Sequence, residues 1–168
     1  EWIEGEDSDI YFCLQYRPTP DTAAASFVGR KIRSWPPRVG GTASCTVARE
    51  HIDEAIHHTD AFFRATGFVG MGGIEYKFDR PSGRLLMIEP TVARTDMQHE
   101  VATLNGVNLP LLQYCVEAGL DWSGPVAASP IIWREPVVDA WSEQTLRQTA
   151  PNLPGYRIAD VFWRWNDP

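Results

Sequence analysis

Two apolar runs joined by a tight turn constrain the fold of this chain more than any other feature of its sequence. Residues Phe68 to Asp79 alternate in side-chain character with a period of two, which predicts a β-strand. The turn Pro81-Ser82-Gly83 follows, and Arg84 to Glu89 forms a second apolar run. A short turn of this composition between two strands is typical of a β-hairpin. The chain is therefore expected to contain an antiparallel sheet.

Further strands and helices are predicted on both sides of this hairpin. Apolar residues recur at helical spacing from Ala48 to Thr66, and Gly67 stands where a helix commonly ends. The order of strands, helix, hairpin and helices predicts an α+β fold with a mainly antiparallel sheet and packed helices. The other predicted elements are the end of a strand at residues 1–3, strands at 10–17 and 24–33, a flexible loop at 40–44, helices at 97–105 and 109–118, and a less regular tail from Asp121.

The composition excludes several classes of protein. Hydrophobic residues make up 43% of the 168 residues, which predicts a packed core. The formal net charge of −7 argues against a protein that binds the nucleic-acid backbone. No uninterrupted run of about 18 apolar residues is present, so no membrane-spanning helix is expected.

The cysteines and the first residues bear on where the protein works and on its extent. Cys13, Cys45 and Cys115 are odd in number, far apart and without CxxC spacing, which favours a reducing cytoplasm over a disulfide framework. The chain opens on Glu1 and continues with apolar Trp2. We expect this sequence to be a piece of a longer protein, because a natural start is usually polar and frayed.

Two glutamates of the hairpin are candidate metal ligands. Alternation places Glu75 on the face opposite Ile74 and Tyr76, and the turn brings the second strand back so that Glu89 faces Glu75. Adjacent carboxylates repel unless a cation lies between them, and oxygen ligands suit Mg²⁺. The alternative interpretation is a pair of solvated glutamates at a sheet edge.

A basic strand is a candidate phosphate-binding segment. Arg30, Lys31 and Arg33 lie within a few positions of one another and precede a loop of small residues. Cations beside such a loop are typical of phosphate recognition. The alternative is a solvated edge strand whose charges discourage pairing with other strands.

Other patterns in the sequence give weaker support for a functional site. The glycines at 67–73 follow a helix and precede a strand, which is the reverse of the order in a dinucleotide-binding fingerprint. The histidines lack zincin spacing, and no GxSxG elbow is present. The tryptophans at 133, 141, 163 and 165 fit a segment packed on the core, with a carbohydrate-binding module as the alternative.

Together, these segments resemble the C-terminal half of an ATP-grasp ligase, over about residues 1–122. Glu1 to Asp7 resembles the hinge strand that meets adenine, and Gly29 to Pro37 resembles the basic strand that reaches the terminal phosphates. Residues 74–77 and 86–89 resemble the paired metal-binding strands, and 102–110 resembles the helix and loop that follow them in relatives of carbamoyl phosphate synthase and biotin carboxylase. Within the superfamily, the chain is most similar to the carboxylate–amine ligase-like enzymes.

The resemblance implies roles for individual residues. Glu75 and Glu89 would hold Mg²⁺, and Lys31 would touch phosphate. The adenine base would meet the backbone of Ile3 and the side chain of Ile88, and Asp7 would meet the ribose. Thr91 takes the place of the usual asparagine as a third metal ligand, and Arg94 corresponds to a catalytic arginine displaced by one position.

The implied function is ATP-dependent ligation of a carboxylate to an amine through an acyl phosphate. Residues 1–122 would form the C-terminal lobe and 123–168 an extension packed on it, with an N-terminal lobe supplied by the rest of the protein. The partners would be ATP and the two small-molecule substrates, without nucleic acid or membrane, in the cytoplasm. The alternative is a non-catalytic regulatory or interaction domain with the same fold.

Overall fold

The computed structural model describes residues 2–93, 95, 97–122, 130–147 and 153–161, which form seven strands, four α-helices and one 3₁₀ turn. The elements are a 3₁₀ turn at Asp7–Asp9, β1 Ile10–Arg17, β2 Ala25–Trp35, β3 Gly41–Val47, α1 Ile52–Ala65, β4 Gly70–Asp79, β5 Arg84–Val92, α2 Gln98–Leu104, α3 Leu109–Glu117, β6 Ile131–Arg134, α4 Pro136–Leu146 and β7 Arg157–Asp160. None of the helices in these residues has the length and apolar character that crossing a bilayer requires.

The seven strands form one sheet in the order β5-β4-β1-β2-β3-β6-β7. All neighbouring pairs are antiparallel except β6 and β7. The predicted α+β class and its mainly antiparallel sheet are therefore confirmed. β1 lies between β4 and β2, and all eight of its residues are buried.

Helices cover both faces of the sheet. Phe12 and Leu14 of β1 belong to a core cluster with α2 and α3, whereas Tyr11 and Cys13 belong to a cluster with α1. Cys45 belongs to the cluster with α2 and α3, so the neighbouring residue Ser44 points to the opposite face, where α1 packs. Ser44 donates a hydrogen bond to Asp139 of α4, so α4 lies on the α1 face as well. Alternate residues of the inner strands therefore face different helical layers.

The sequence-based boundaries hold for most elements and fail in three places. Residues 2 and 3 are not in a strand, and the predicted flexible loop at 40–44 is wrong because Gly41–Val47 is strand β3. β3 pairs with β2 on one side and β6 on the other, so partners distant in sequence impose the strand on small residues. The predicted irregular tail instead adds β6, α4 and β7 to the structure.

Close packing at the centre of the sheet leaves no room for a side chain at residue 29. A Cβ atom added to Gly29 would lie 2.1 Å from Cζ of the Phe12 ring, and that ring is fully buried. A Cβ atom added to Gly41 would meet no heavy atom within 4 Å. These two strand glycines therefore differ in packing.

We predict that Gly29→Ala lowers the free energy of unfolding by about 1–3 kcal/mol, because the buried Phe12 ring must shift to admit the methyl group. Gly41→Ala is the matched control and should change it by less than about 0.5 kcal/mol. Urea denaturation of both variants measures the difference. Equal free energies for the two variants would contradict the packing described here.

Candidate functional site

A cavity of about 620 Å³ lies against the sheet face that also packs on α2 and α3. Strands β2, β4 and β5 contribute Lys31, Glu75 and Glu89 to its walls. Its volume is within the range of small-molecule sites in proteins. The remaining lining residues are Trp2, Ile3, Ile10, Arg38, Val39, Gly40, Gly41, Thr42, Lys77, Met87 and Ile88.

Lys31 and Glu75 form an ion pair at the back of this cavity. The Nζ atom of Lys31 lies 3.0 Å from Oε1 and 3.1 Å from Oε2 of Glu75, although β1 runs between their two strands. Only 4% of the Lys31 side chain is exposed, and β2 is an inner strand. The alternative of a solvated edge strand is therefore wrong for Lys31, since this ammonium group is buried against a carboxylate.

Glu89 lies directly across from Glu75 on the neighbouring strand. The two residues are Cα partners in the antiparallel pair of β4 and β5, so their side chains share one face of the sheet. Glu75 is partly buried, whereas Glu89 is exposed on the edge strand β5. The pairing of the two glutamates across the hairpin is confirmed.

Thr91 lies next to the two glutamates, at the wall of a smaller cavity. This cavity of about 40 Å³ is lined by Glu75, Glu89, Thr91 and Gln98 among others. In the part of the chain that the structure describes, no group of three or more His, Cys, Asp or Glu side chains is arranged to hold a metal ion. Two carboxylates and a hydroxyl nevertheless fit Mg²⁺, which proteins commonly bind through one or two carboxylates together with substrate phosphates.

The residues assigned to the nucleoside divide into two groups. Ile3 and Ile88 both line the large cavity, and Ile88 has 46% of its surface exposed there. Asp7 is 4% exposed and accepts hydrogen bonds from the backbone N–H groups of Ser34 (2.8 Å) and Arg38 (2.6 Å). Its carboxylate therefore holds the end of β2 in place, and its ribose contact stays a prediction.

Comparisons with known proteins identify the fold. No protein-family model matches the chain, and no curated protein matches it. Among solved structures, the phosphoribosylaminoimidazole carboxylase ATPase subunit from Aquifex aeolicus is similar over 77% of this chain and 38% of its own, with 16% identity and a TM-score of 0.57. Pyruvate carboxylase from Rhizobium etli is similar over 67% of this chain and 10% of its own, with 17% identity and a TM-score of 0.54. The chain has an ATP-grasp fold.

This ATP-grasp fold covers part of the chain and a smaller part of its structural neighbours. The chain spans a tenth of the pyruvate carboxylase chain and about two fifths of the ATPase subunit. An ATP-grasp superfamily protein from Archaeoglobus fulgidus is also similar, with 14% identity, over 80% of this chain and 40% of its own, but its TM-score of 0.49 adds no weight. At these identities, the likeness establishes the fold alone.

One charged residue of the large cavity, Lys77, was not predicted from the sequence as a site residue. Lys77 lies two residues after Glu75 on β4 and therefore on the same face, so strand alternation was a usable signal. Its Nζ atom lies 3.4 Å from the carbonyl oxygen of Gly5 and 5.4 Å from the centre of the Trp2 ring. Lys31 and Lys77 are the two lysines of the sequence, and both line this cavity.

Gln98 of α2, which lines the smaller cavity, was also not predicted. Its Nε2 atom donates hydrogen bonds to Oε1 of Glu75 (2.5 Å) and to Oγ1 of Thr42 (3.2 Å). No sequence signal marks it, because the contact arises only when α2 packs on the sheet. Arg94, the predicted catalytic arginine, lies outside the described residues.

Asp9 attaches the segment before β1 to the hairpin of β4 and β5. Its carboxylate accepts two hydrogen bonds from the guanidinium group of Arg80 (2.9 and 3.0 Å) and one from the backbone N–H of Glu6 (2.9 Å). Burial raises the pKa of Asp9, but the Arg80 and Glu6 hydrogen bonds outweigh it and hold the pKa below its usual value of 3.8. This contact fixes the segment that carries Ile3.

We predict that Asp9 contributes to stability above about pH 4 and that this contribution is lost as the pH falls through its lowered folded-state pKa. The sign follows because the unfolded chain binds the proton at a higher pH than the folded chain does. Asp9→Asn and Arg80→Met should each reduce the fall in the free energy of unfolding between pH 5 and pH 2. Urea denaturation across this pH range measures the free energy of unfolding. If both variants lost as much of this free energy between pH 5 and pH 2 as the wild type does, the role of the Asp9–Arg80 pair would be disproved.

Proposed function

We propose that the chain is part of an ATP-dependent ligase that joins a carboxylate to an amine in the cytoplasm. Residues 1–122 would form its C-terminal ATP-grasp lobe and 123–168 an extension packed on it. The observation that carries this proposal is the convergence of Lys31, Glu75 and Glu89 on one cavity of about 620 Å³. An ammonium group beside two facing carboxylates can bind a polyphosphate together with its metal ion.

The cavity provides both polar and apolar surface for a nucleotide. Lys31 and Lys77 would contact phosphate oxygens, and Lys31 is held in place by Glu75 before any ligand arrives. Ile3, Met87 and Ile88 give apolar surface on which an adenine base would lie, and Asp7 would meet the ribose. These roles agree with those implied by the ATP-grasp resemblance.

Glu75, Glu89 and Thr91 are the residues that would hold Mg²⁺. When bound, the ion would neutralise the negative charge on the terminal phosphates of ATP. Glu75 would have to exchange its contact with Lys31 for the metal, which would leave the ammonium group of Lys31 available for phosphate oxygens. The ion pair thus holds the two side chains close together in the absence of ligand.

The proposed reaction has two steps. The carboxylate substrate attacks the γ-phosphorus of ATP and forms an acyl phosphate, with ADP as the leaving group. The amine then attacks the acyl carbon, and inorganic phosphate leaves. Lys31 would orient and stabilise the transferred phosphoryl group, with Arg94 as a second cation, and an N-terminal lobe would exclude water from the acyl phosphate.

One observation favours the second candidate, a non-catalytic regulatory or interaction domain. Both oxygens of the Glu75 carboxylate already have donors, since Lys31 contacts both and Gln98 contacts Oε1. A hydroxyl at Thr91 is also a weaker ligand than the amide it replaces. A binding-only domain would bind nucleotide with the same affinity with and without Mg²⁺, and this separates the two functions.

We predict that Lys31→Ala lowers ATP turnover by about tenfold to hundredfold in the enzyme that contains this chain, since a charge-assisted phosphate contact is lost. Arg84→Ala is the control, because Arg84 is exposed at the start of β5 and outside the cavity. Arg17 would be a poor control, since it is fully buried and paired with Asp60. A steady-state assay of ADP release compares them, and similar small losses would assign Lys31 a structural role.

We predict that the chain by itself binds Mg·ATP no tighter than about millimolar and releases no ADP. A nucleotide site with micromolar affinity that lost three or four charge-assisted contacts from the N-terminal lobe would bind with millimolar or weaker affinity. Isothermal titration calorimetry with Mg·ATP, repeated with excess EDTA, measures the affinity and its metal dependence. Micromolar binding or turnover would show that the chain is a self-sufficient nucleotide-binding domain.

A further inference from the structure

A second large cavity lies on the other face of the sheet, away from Glu75 and Glu89. Its volume is about 610 Å³, close to that of the first. Arg30 of β2 contributes to it, and Arg30 precedes Lys31, so the two side chains point to opposite faces. Lys31 is also a wall residue of this cavity, but its ammonium group is paired with Glu75 on the opposite face.

The charge of this cavity is opposite to that of the whole chain. The basic residues of its wall are Arg30, Lys31, Arg49 and Arg147, and Glu50 is the one acidic residue among the described residues of this wall. The chain as a whole carries a net charge of −7. Three guanidinium groups at one concave surface of an acidic chain create a local site for anions.

Two of these arginines are available to a ligand. Arg49 and Arg147 are both exposed, and no ion pair to either is found within the described part of the chain. The Arg49 guanidinium lies 4.9 Å from the centre of the Tyr156 ring, which restricts its position. Arg147 ends α4 in the left-handed conformation, with a φ of 52°. Different parts of the fold thus direct both side chains to one cavity.

The third arginine, Arg30, already has contacts within the protein. The Nε atom of Arg30 donates a hydrogen bond to the carbonyl oxygen of Ser8, and its guanidinium group lies 5.3 Å from the centre of the Tyr11 ring. Arg30 therefore contributes charge to the cavity, while Arg49 and Arg147 remain to form direct contacts.

We propose that this cavity is a second binding site, for a small organic anion whose phosphate or carboxylate group is held by Arg49 and Arg147. A guanidinium group presents a planar pair of donors that matches both of these anions. Tyr156 and Leu153 add apolar surface for the rest of the ligand. The site does not depend on the proposed ligase function. Among the described residues the two cavities share Lys31 alone, and its ammonium group is paired with Glu75 rather than with Arg49 or Arg147.

Titration of the isotopically labelled chain with inorganic phosphate and, separately, with citrate tests this site by two-dimensional NMR. We expect saturable shifts of the backbone amides of Arg49, Arg147 and Tyr156 with at least one of the anions. The anion that binds more tightly shows whether the site prefers phosphate or carboxylate. Absence of saturable shifts at these amides with both anions would overturn the proposal.

Variants decide whether the arginines bind the anion. Arg49→Ala combined with Arg147→Ala should weaken binding by about tenfold or more, while Arg84→Ala should leave it unchanged. Arg49→Lys combined with Arg147→Lys keeps the charge and loses the paired donors, so it should also weaken binding and serves if the alanine variant does not fold. Lys77 lines the first cavity and not the second, so Lys77→Ala should leave these shifts unchanged. Loss of binding in that variant would instead place the anion in the first cavity.

Discussion

The burial of Lys31 against Glu75 is the interaction on which the proposed site depends. Each charge lies on an inner strand, where solvation by water is limited, and each is neutralised by the other across β1. Removing one partner would leave the other charge buried and unpaired, which is costly in a folded protein. The pair therefore fixes β2 relative to β4 and holds a cation and a carboxylate together at the wall of one cavity.

Buried carboxylates also fix the segment that leads into β1. Asp7 accepts hydrogen bonds from the backbone at the end of β2, and Asp9 binds Arg80 at the hairpin turn. Because both contacts connect this segment to distant strands, the cavity wall formed by Trp2 and Ile3 has a defined position. In this structure the acid that the resemblance assigned to ribose supports the backbone of the site.

Alternation along β2 connects the two cavities. Arg30 and Lys31 are consecutive residues, and Lys31 lines both cavities. Their charged groups nevertheless have different partners, since the Arg30 guanidinium lies over the Tyr11 ring and the Lys31 ammonium group pairs with Glu75. The sheet between them is closely packed, as shown by the Phe12 ring lying against Gly29. A single strand therefore contributes to two chemically different surfaces, the proposed nucleotide site and the proposed anion site.

The sequence alone determined the hairpin, the helix α1 and the facing of Glu75 and Glu89, because strand alternation and a short turn fix these relations locally. Its segments also resemble ATP-grasp segments in their order, and that resemblance predicted the fold. Only the tertiary structure decided that Gly41–Val47 is a strand, that Gln98 contacts Glu75, and that Arg49 and Arg147 line one cavity. These features depend on contacts between residues far apart in the chain, and local side-chain patterns contain no information about such pairings.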